Sequence, residues 1–182
     1  MTDALQMEAR AFNFRGERHI TIVNSMPLPE GFTVRRASTA ELEILVGHRR
    51  SMFADMGYED QATLDSMAAR FRSWVLEHME AADYHAWLVY APDGSVAAGA
   101  GLWLMDWPPH MIGKSMRRGN ILNVYTDARF RRRGLARLLM EEIVAWCKNN
   151  GVDTIILHAS PAGRSLYESM GFAATNEMRI RL

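Results

Sequence analysis

The sequence predicts a mixed α/β (α+β) fold, a central β-sheet flanked by helices. Three observations carry that expectation. Apolar residues recur at helical spacing through several long runs, shorter runs rich in β-branched and aromatic residues lie between them, and Gly, Pro and Asp-Gly turn signals separate the two kinds. A chain of 182 residues is long enough to bury one real core, so 31–182 is read as a single domain preceded by an N-terminal extension over 1–30.

The extension holds one alternating run, His19-Ile20-Thr21-Ile22-Val23, which reads as an edge strand or a dimer arm before Pro27 and Pro29 interrupt it. Phe32-Thr33-Val34-Arg35-Arg36 is the first strand of the main fold. Ser38 or Thr39, with Glu41 and Glu43 just beyond, marks a helix start, and that helix runs to about Met56 with Gly57 as its C-cap. Leu64, Met67, Ala68, Phe71, Trp74, Val75, His78 and Met79 place a longer helix over 61–82. Ala86 to Tyr90 and Val96 to Met105 form a hairpin across Pro92-Asp93-Gly94, and the small residues 97–101 point to close packing or a bulge. Asp106 to Gly119 then reads as a loop, Asn120 to Thr126 as a strand, and Gly134 to Asn149 as an amphipathic helix. Thr154 to Leu157 is a buried-type strand, Pro161 to Met170 a short helix ended by Gly171, and Met178 to Leu182 a last strand.

Composition excludes several function classes. The 21 basic and 21 acidic residues cancel, so no global field draws the chain to nucleic acid or to an anionic membrane. No apolar run reaches bilayer length, and Met1 to Arg10 lacks the apolar centre of a signal peptide, which leads us to expect a cytoplasmic protein. One cysteine, Cys147, allows no internal disulfide and no multi-cysteine zinc site, and its place beside Trp146 in an apolar helix reads as a buried inert thiol. His48, His78, His110 and His158 show no metal-ligand spacing, so no metal is expected.

The most informative stretch is Arg131-Arg132-Arg133-Gly134-Leu135-Ala136, between a strand and a helix. A strand that turns through small residues into a helix leaves N–H groups unpaired at the helix start, where they suit phosphate oxygens. Gly134 opens backbone angles closed to other residues, and Ala136 keeps side-chain bulk off the first turn. The pattern lacks the Gly-Lys-Ser/Thr of nucleoside triphosphate loops and the Gly-x-Gly-x-x-Gly of dinucleotide folds, which leaves a pyrophosphate on some other carrier, or simply a solvated basic turn.

With Leu166-Tyr167-Glu168-x-x-Gly171-Phe172 further on, that loop makes the chain from about Phe32 to Leu182 resemble the GNAT superfamily of acyl-CoA-dependent N-acyltransferases. The resemblance implies a mixed sheet, mostly antiparallel, with a splayed parallel pair. It implies that Arg131, Arg132, Arg133, Gly134, Leu135 and Ala136 cradle the coenzyme A pyrophosphate through backbone N–H groups, with Arg137 at the edge. Val124, Tyr125 and Thr126 would lie along the pantetheine arm, Val124 and Thr126 giving main-chain contacts, and Ser160 would stand where relatives carry Asn. Tyr167 would be the general acid for the departing thiolate, and a phenol suits that task because it is protonated at neutral pH. The implied reaction is direct transfer from acetyl-CoA, through a ternary complex, to a primary amine of a small molecule or peptide. A non-catalytic acyl-CoA-binding module is the alternative, since Asn120 and Asn123 stand on the strand where some relatives carry a basic glutamate. Water or a group from another element such as Asp106 or His110 then remains as base, or none is needed for an acceptor amine of low pKa, and a homodimer through the extension is a further expectation.

For the acceptor, the resemblance points to the two N-terminal helices. Met52 and Phe53 would line an apolar pocket or serve as plain core, Arg49 and Arg50 would grip a carboxylate or stay solvated, and Asn123 would face the acceptor from the strand. Trp107, in the loop after the hairpin, would cover the cleft or stiffen a long connection.

Overall fold

The computed structural model describes residues 28–111 and 113–182. Strand β1 (Thr33–Arg36) leads through a 3-10 turn (Thr39–Glu41) into helix α1 (Leu42–Asp55) and then α2 (Gln61–Glu80). There follow β2 (Tyr84–Tyr90), β3 (Val96–Asp106), β4 (Arg117–Thr126), α3 (Leu135–Asn149), β5 (Ile155–Leu157) and α4 (Arg164–Ser169). The five strands lie in chain order, antiparallel except for the parallel pair β4 and β5. The expected N-terminal edge strand at His19 to Val23 lies outside the described residues.

Local chemistry starts and stops these elements where the sequence signals it. The Ser38 hydroxyl accepts from Ala40 N–H at 3.2 Å while Ser38 N–H donates to Glu41 at 2.7 Å, a reciprocal box that fixes the entry to α1. Asp60 accepts from the N–H groups of Ala62 and Thr63 at the head of α2, a cap worth about 1 kcal/mol. Helix α2 buries Leu64, Ala68, Phe71 and Val75, one stripe at helical spacing. Those residues, with Leu42 and Leu45 of α1, pack on Tyr84, Ala86 and Leu88 of β2. The alternate β2 residues Trp87 and Val89 face the other way, into a core built with Leu135, Leu139, Met140, Ile143 and Cys147 of α3. The sheet is thus covered by α1 and α2 on one face and by α3 on the other. Among the described residues no helix is long and apolar enough to cross a membrane.

Two sequence expectations need correction. Strand β4 begins at Arg117 rather than Asn120, because Arg117 and Arg118 pair with Asp106 and Met105 and Trp107 N–H donates to Met116 C=O at 2.8 Å. Charged residues at this exposed end hid a strand whose ladder is nonetheless made. Conversely, Met178 to Leu182 forms no strand, and Met178, Ile180 and Leu182 are exposed. Their alternation has the strand period, but a strand also needs a partner ladder, and none of the described strands supplies one.

Candidate active site

The site grows from two irregularities in β4. The first is on its β5 side, where parallel pairing covers only Gly119, Asn120 and Ile121, opposite Ile155, Ile156 and Leu157. Beyond Ile121 the strand continues to Thr126 with no described partner on that side, so the pair parts there. The second is on its β3 side. Leu122 pairs with Gly101 and Tyr125 with Gly99, which sets Asn123 and Val124 both against Ala100: a β-bulge. Asn123 takes φ +57°, a left-handed conformation that Asn tolerates better than most residues.

The bulge turns consecutive side chains to one face. Leu122 packs into the α1/α2 cluster, and Asn123, its neighbour, is buried on the same side. There Asn123 Nδ2 donates to the Tyr84 hydroxyl at 3.1 Å, and Oδ1 accepts from Arg49 Nη1 at 2.5 Å. The guanidinium of Arg49 lies 4.6 Å from the Phe71 ring centroid and 5.1 Å from that of Phe53. Burial raises the Tyr84 phenol to about 12, so it stays neutral and serves as an acceptor for Asn123. Burial draws the Arg49 pKa downward, yet a guanidinium starts so high that it stays charged. The preceding residue on α1, His48, packs at a tilt against Tyr125 with ring centroids 5.0 Å apart, and burial lowers its pKa to about 4, leaving a neutral ring at pH 7. The β3 glycines make this packing possible: a Cβ at Gly99 would stand 2.7 Å from His48 Nδ1, and one at Gly101 would collide with the Tyr84 hydroxyl.

At the far end of β4 the chain enters the arginine loop. Asp127 accepts from Arg129 N–H at 2.9 Å and binds the Arg129 guanidinium through both oxygens at 3.0 and 3.1 Å. Arg131 donates to the Thr126 carbonyl at 3.1 Å and pairs with Asp55 at the end of α1. Two of the four arginines in 129–133, Arg129 and Arg131, are therefore committed to carboxylates, whereas the side chains of Arg132 and Arg133 are exposed. Arg132 (φ +61°) and Gly134 (φ +79°) bend the backbone into the left-handed region twice within three residues. Helix α3 then begins on Gly134 with no side chain capping its first N–H groups. Such a turn aims successive N–H groups into one concavity, to which the helix dipole adds. The cradle suits a pyrophosphate.

The remaining sequence-selected residues divide. Tyr167 on α4 packs against the α3-side core, as Val124 does, with its ring edge-on to Phe172 at 6.1 Å. Burial raises its pKa, which keeps the phenol protonated. Gly163 makes room for that ring, since a Cβ there would stand 2.8 Å from Tyr167 Cε2. Tyr167 also lines a cleft of about 480 Å³ with β5 and the segment 172–179. Ser160 Oγ accepts from Gly163 N–H at 3.2 Å before α4, which leaves its O–H free to donate. Arg137 donates to Ser169 at 2.6 Å and so ties α3 to α4. Met52 and Phe53 lie half-buried on α1, Phe53 packing edge-on with Tyr58.

Trp107 is not part of this assembly. It sits beside the start of β4, under the Arg118 guanidinium, six residues from Asn123 counted from Arg117 and so about 20 Å along the strand. Asp106, paired with Arg117, shares that end, which removes it from the bulge as a base. Tyr84 carried no functional signal in the sequence beyond the small residues it faces. Among the described residues no group of three or more His, Cys, Asp and Glu could hold a metal ion, and burial pushes the Cys147 thiol up to about 12, as expected of an inert core cysteine.

A mixed sheet that parts beside a bulged strand, with that strand running into an uncapped, glycine-started helix, leaves room for an extended ligand along the strand and for an anionic group at the helix start. The chain belongs to the acetyltransferase (GNAT) family, whose model matches residues 50–172. The structure resembles a GCN5-related N-acetyltransferase from Ralstonia eutropha with a TM-score of 0.78 and 34% identity, covering 84% of this chain and 99% of that one. It also resembles a predicted acetyltransferase from Clostridium acetobutylicum solved with acetyl-CoA, with a TM-score of 0.75 and 25% identity over 83% of this chain and 96% of that one. In sequence, 64 residues are 39% identical to [ribosomal protein bS18]-alanine N-acetyltransferase of Salmonella typhimurium, spanning 34% of this chain and 41% of that protein.

Proposed function

We propose that the protein moves an acetyl group from acetyl-CoA directly to the primary amine of a small molecule or peptide, within a ternary complex. The observation that carries this is the uncapped start of α3, set at the end of the strand that parts from β5. Acetyl-CoA supplies an activated thioester. The backbone N–H groups of 131–136 hold its pyrophosphate, and Val124, without a partner on the β5 side, and Thr126, whose carbonyl Arg131 also engages, offer main-chain groups to the pantetheine amides. Tyr167, protonated, donates to the leaving sulfur, whose thiol pKa lies below that of a phenol. Water accepts the amine proton, because the described side chains at the bulge are Asn123, Tyr84, Arg49 and the neutral His48.

That same absence of a carboxylate favours one second reading, an acyl-CoA-binding module without turnover. Incubating the protein with acetyl-CoA and a broad amine panel while following free thiol separates the two. Amine-dependent thiol release supports the transferase, and cofactor binding without such release across the panel supports the module.

A further inference from the structure

Unmet polarity in this molecule is concentrated on one strand face. Among the described residues, four buried side-chain polar atoms lack a hydrogen-bond partner, and three of them are His48 Nδ1, Arg49 Nε and Asn120 Oδ1. Asn120 lies opposite Trp103, which packs with the α1/α2 cluster, so its side chain shares the face of β4 that α1 covers. His48 and Arg49 approach that face from α1.

Arg49 is the most demanding of the three. Of its donors only Nη1 is hydrogen-bonded among the described residues, and the acceptor is a neutral amide, Asn123. Neighbouring arginines are matched with carboxylates: Arg50 with Asp65, Arg72 with Glu43, and Arg131 with Asp55. Arg49 has none among the described residues, although it is the arginine that burial weakens. A part-buried guanidinium with no counter-charge is costly unless an anion meets it. Its faces are turned to Phe53 and Phe71, so what it offers a ligand is its planar edge of N–H donors, the geometry that fits a carboxylate.

We propose that Arg49 binds a carboxylate carried by the acceptor, so that the acetylated amine belongs to a free amino acid rather than to a plain amine or a peptide N-terminus. This rests on the transferase reading above. The span follows from the strand: Arg49 is held to Asn123, and the next residue, Val124, begins the segment assigned to the thioester arm. One strand residue is about 3.3 Å, which suits an amine one or two carbons from its carboxylate. Charge sets the anion. One unpaired cation balances a monoanion, whereas a phosphate dianion would need a second, and Arg50, Arg72 and Arg131 are already neutralised.

The test uses matched acceptors with the intact protein and acetyl-CoA: leucine, methionine and phenylalanine, each with its carboxamide, and phosphoethanolamine as the phosphate counterpart. For at least one pair we expect kcat/KM to favour the carboxylate by about 30-fold, in keeping with a charged hydrogen bond, and Arg49→Gln to reduce that ratio to about threefold or less. Turnover with equal rates within every pair, or preference for the carboxamides or for phosphoethanolamine, overturns this inference and leaves the transferase reading standing. If no amine is acetylated, the transferase reading fails, and calorimetric binding of the same pairs to the coenzyme A-loaded protein decides the inference. Tighter carboxylate binding lost in Arg49→Gln sustains it, and equal or undetectable binding refutes it.

Discussion

The two ends of β4 solve recognition in opposite ways. At the α3 end the cradle is made of backbone: left-handed Arg132 and Gly134, and a helix start with no capping side chain. At the bulge the surface is made of side chains drawn from three elements, Arg49 of α1, Tyr84 of β2 and Asn123 of β4, joined by hydrogen bonds of 2.5 and 3.1 Å. On the proposed reading, a backbone cradle recognises what every acyl-CoA shares. A side-chain surface can be respecified one substitution at a time, so the donor is common to a family and the acceptor is particular to a chain.

Removing the proposed acid, Tyr167, has the largest expected effect. Tyr167→Phe should lower kcat by roughly 100-fold or more, with acetyl-CoA affinity changed only a few-fold, as steady-state kinetics and calorimetry together would show. Undiminished kcat would remove Tyr167 from the chemistry.

A pH titration probes the packing under the bulge. His48 has a folded pKa of about 4 against an ordinary 6.5, so the neutral ring stabilises the fold above about pH 6.5 and that contribution is lost as pH falls toward 4. The loss should be roughly 2–3 kcal/mol from His48, and half-buried His85, also near 4, adds to it in the same direction. Urea unfolding between pH 7 and 4 should show the decline, and His48→Gln should flatten it.

Two substitutions of similar size then set the ends against each other. Gly134→Val forces a branched residue to φ +79°, costing about 1–2 kcal/mol, and should weaken acetyl-CoA binding about tenfold. Tyr84→Phe leaves Asn123 Nδ2 buried without an acceptor, which should cost about 1–2 kcal/mol of stability while acetyl-CoA affinity stays within about twofold. Equal loss of acetyl-CoA affinity in both variants would mean that the two ends are one site energetically.

The same contrast explains what could be read in the sequence. The cradle was legible because its causes are local: a strand, a glycine that must be left-handed and an apolar helix stripe follow one another within 30 residues or so. Even there, the commitment of Arg131 to Asp55 was not legible, because its partner is 76 residues away. The bulge surface joins residues 39 and 74 positions apart, and Arg49, weighed against a solvated arginine, has no local pattern that tells the two apart. From the sequence, the loop holding Trp107 reads as near the acceptor because its strand neighbours the splayed one, but antiparallel pairing puts the end of β3 at the start of β4. Met178 to Leu182 shows the complementary failure, a correct period without a partner.

The central claim, a donor site built from backbone at the start of α3, is tested most directly by titrating coenzyme A into the ¹⁵N-labelled protein and following the backbone amides. The account predicts the largest shifts at amides 131–137 and at Val124 and Thr126, with Arg49 and Tyr84 moving less. Shifts confined to the cleft between β5 and 172–179, with 131–137 unmoved, would contradict it.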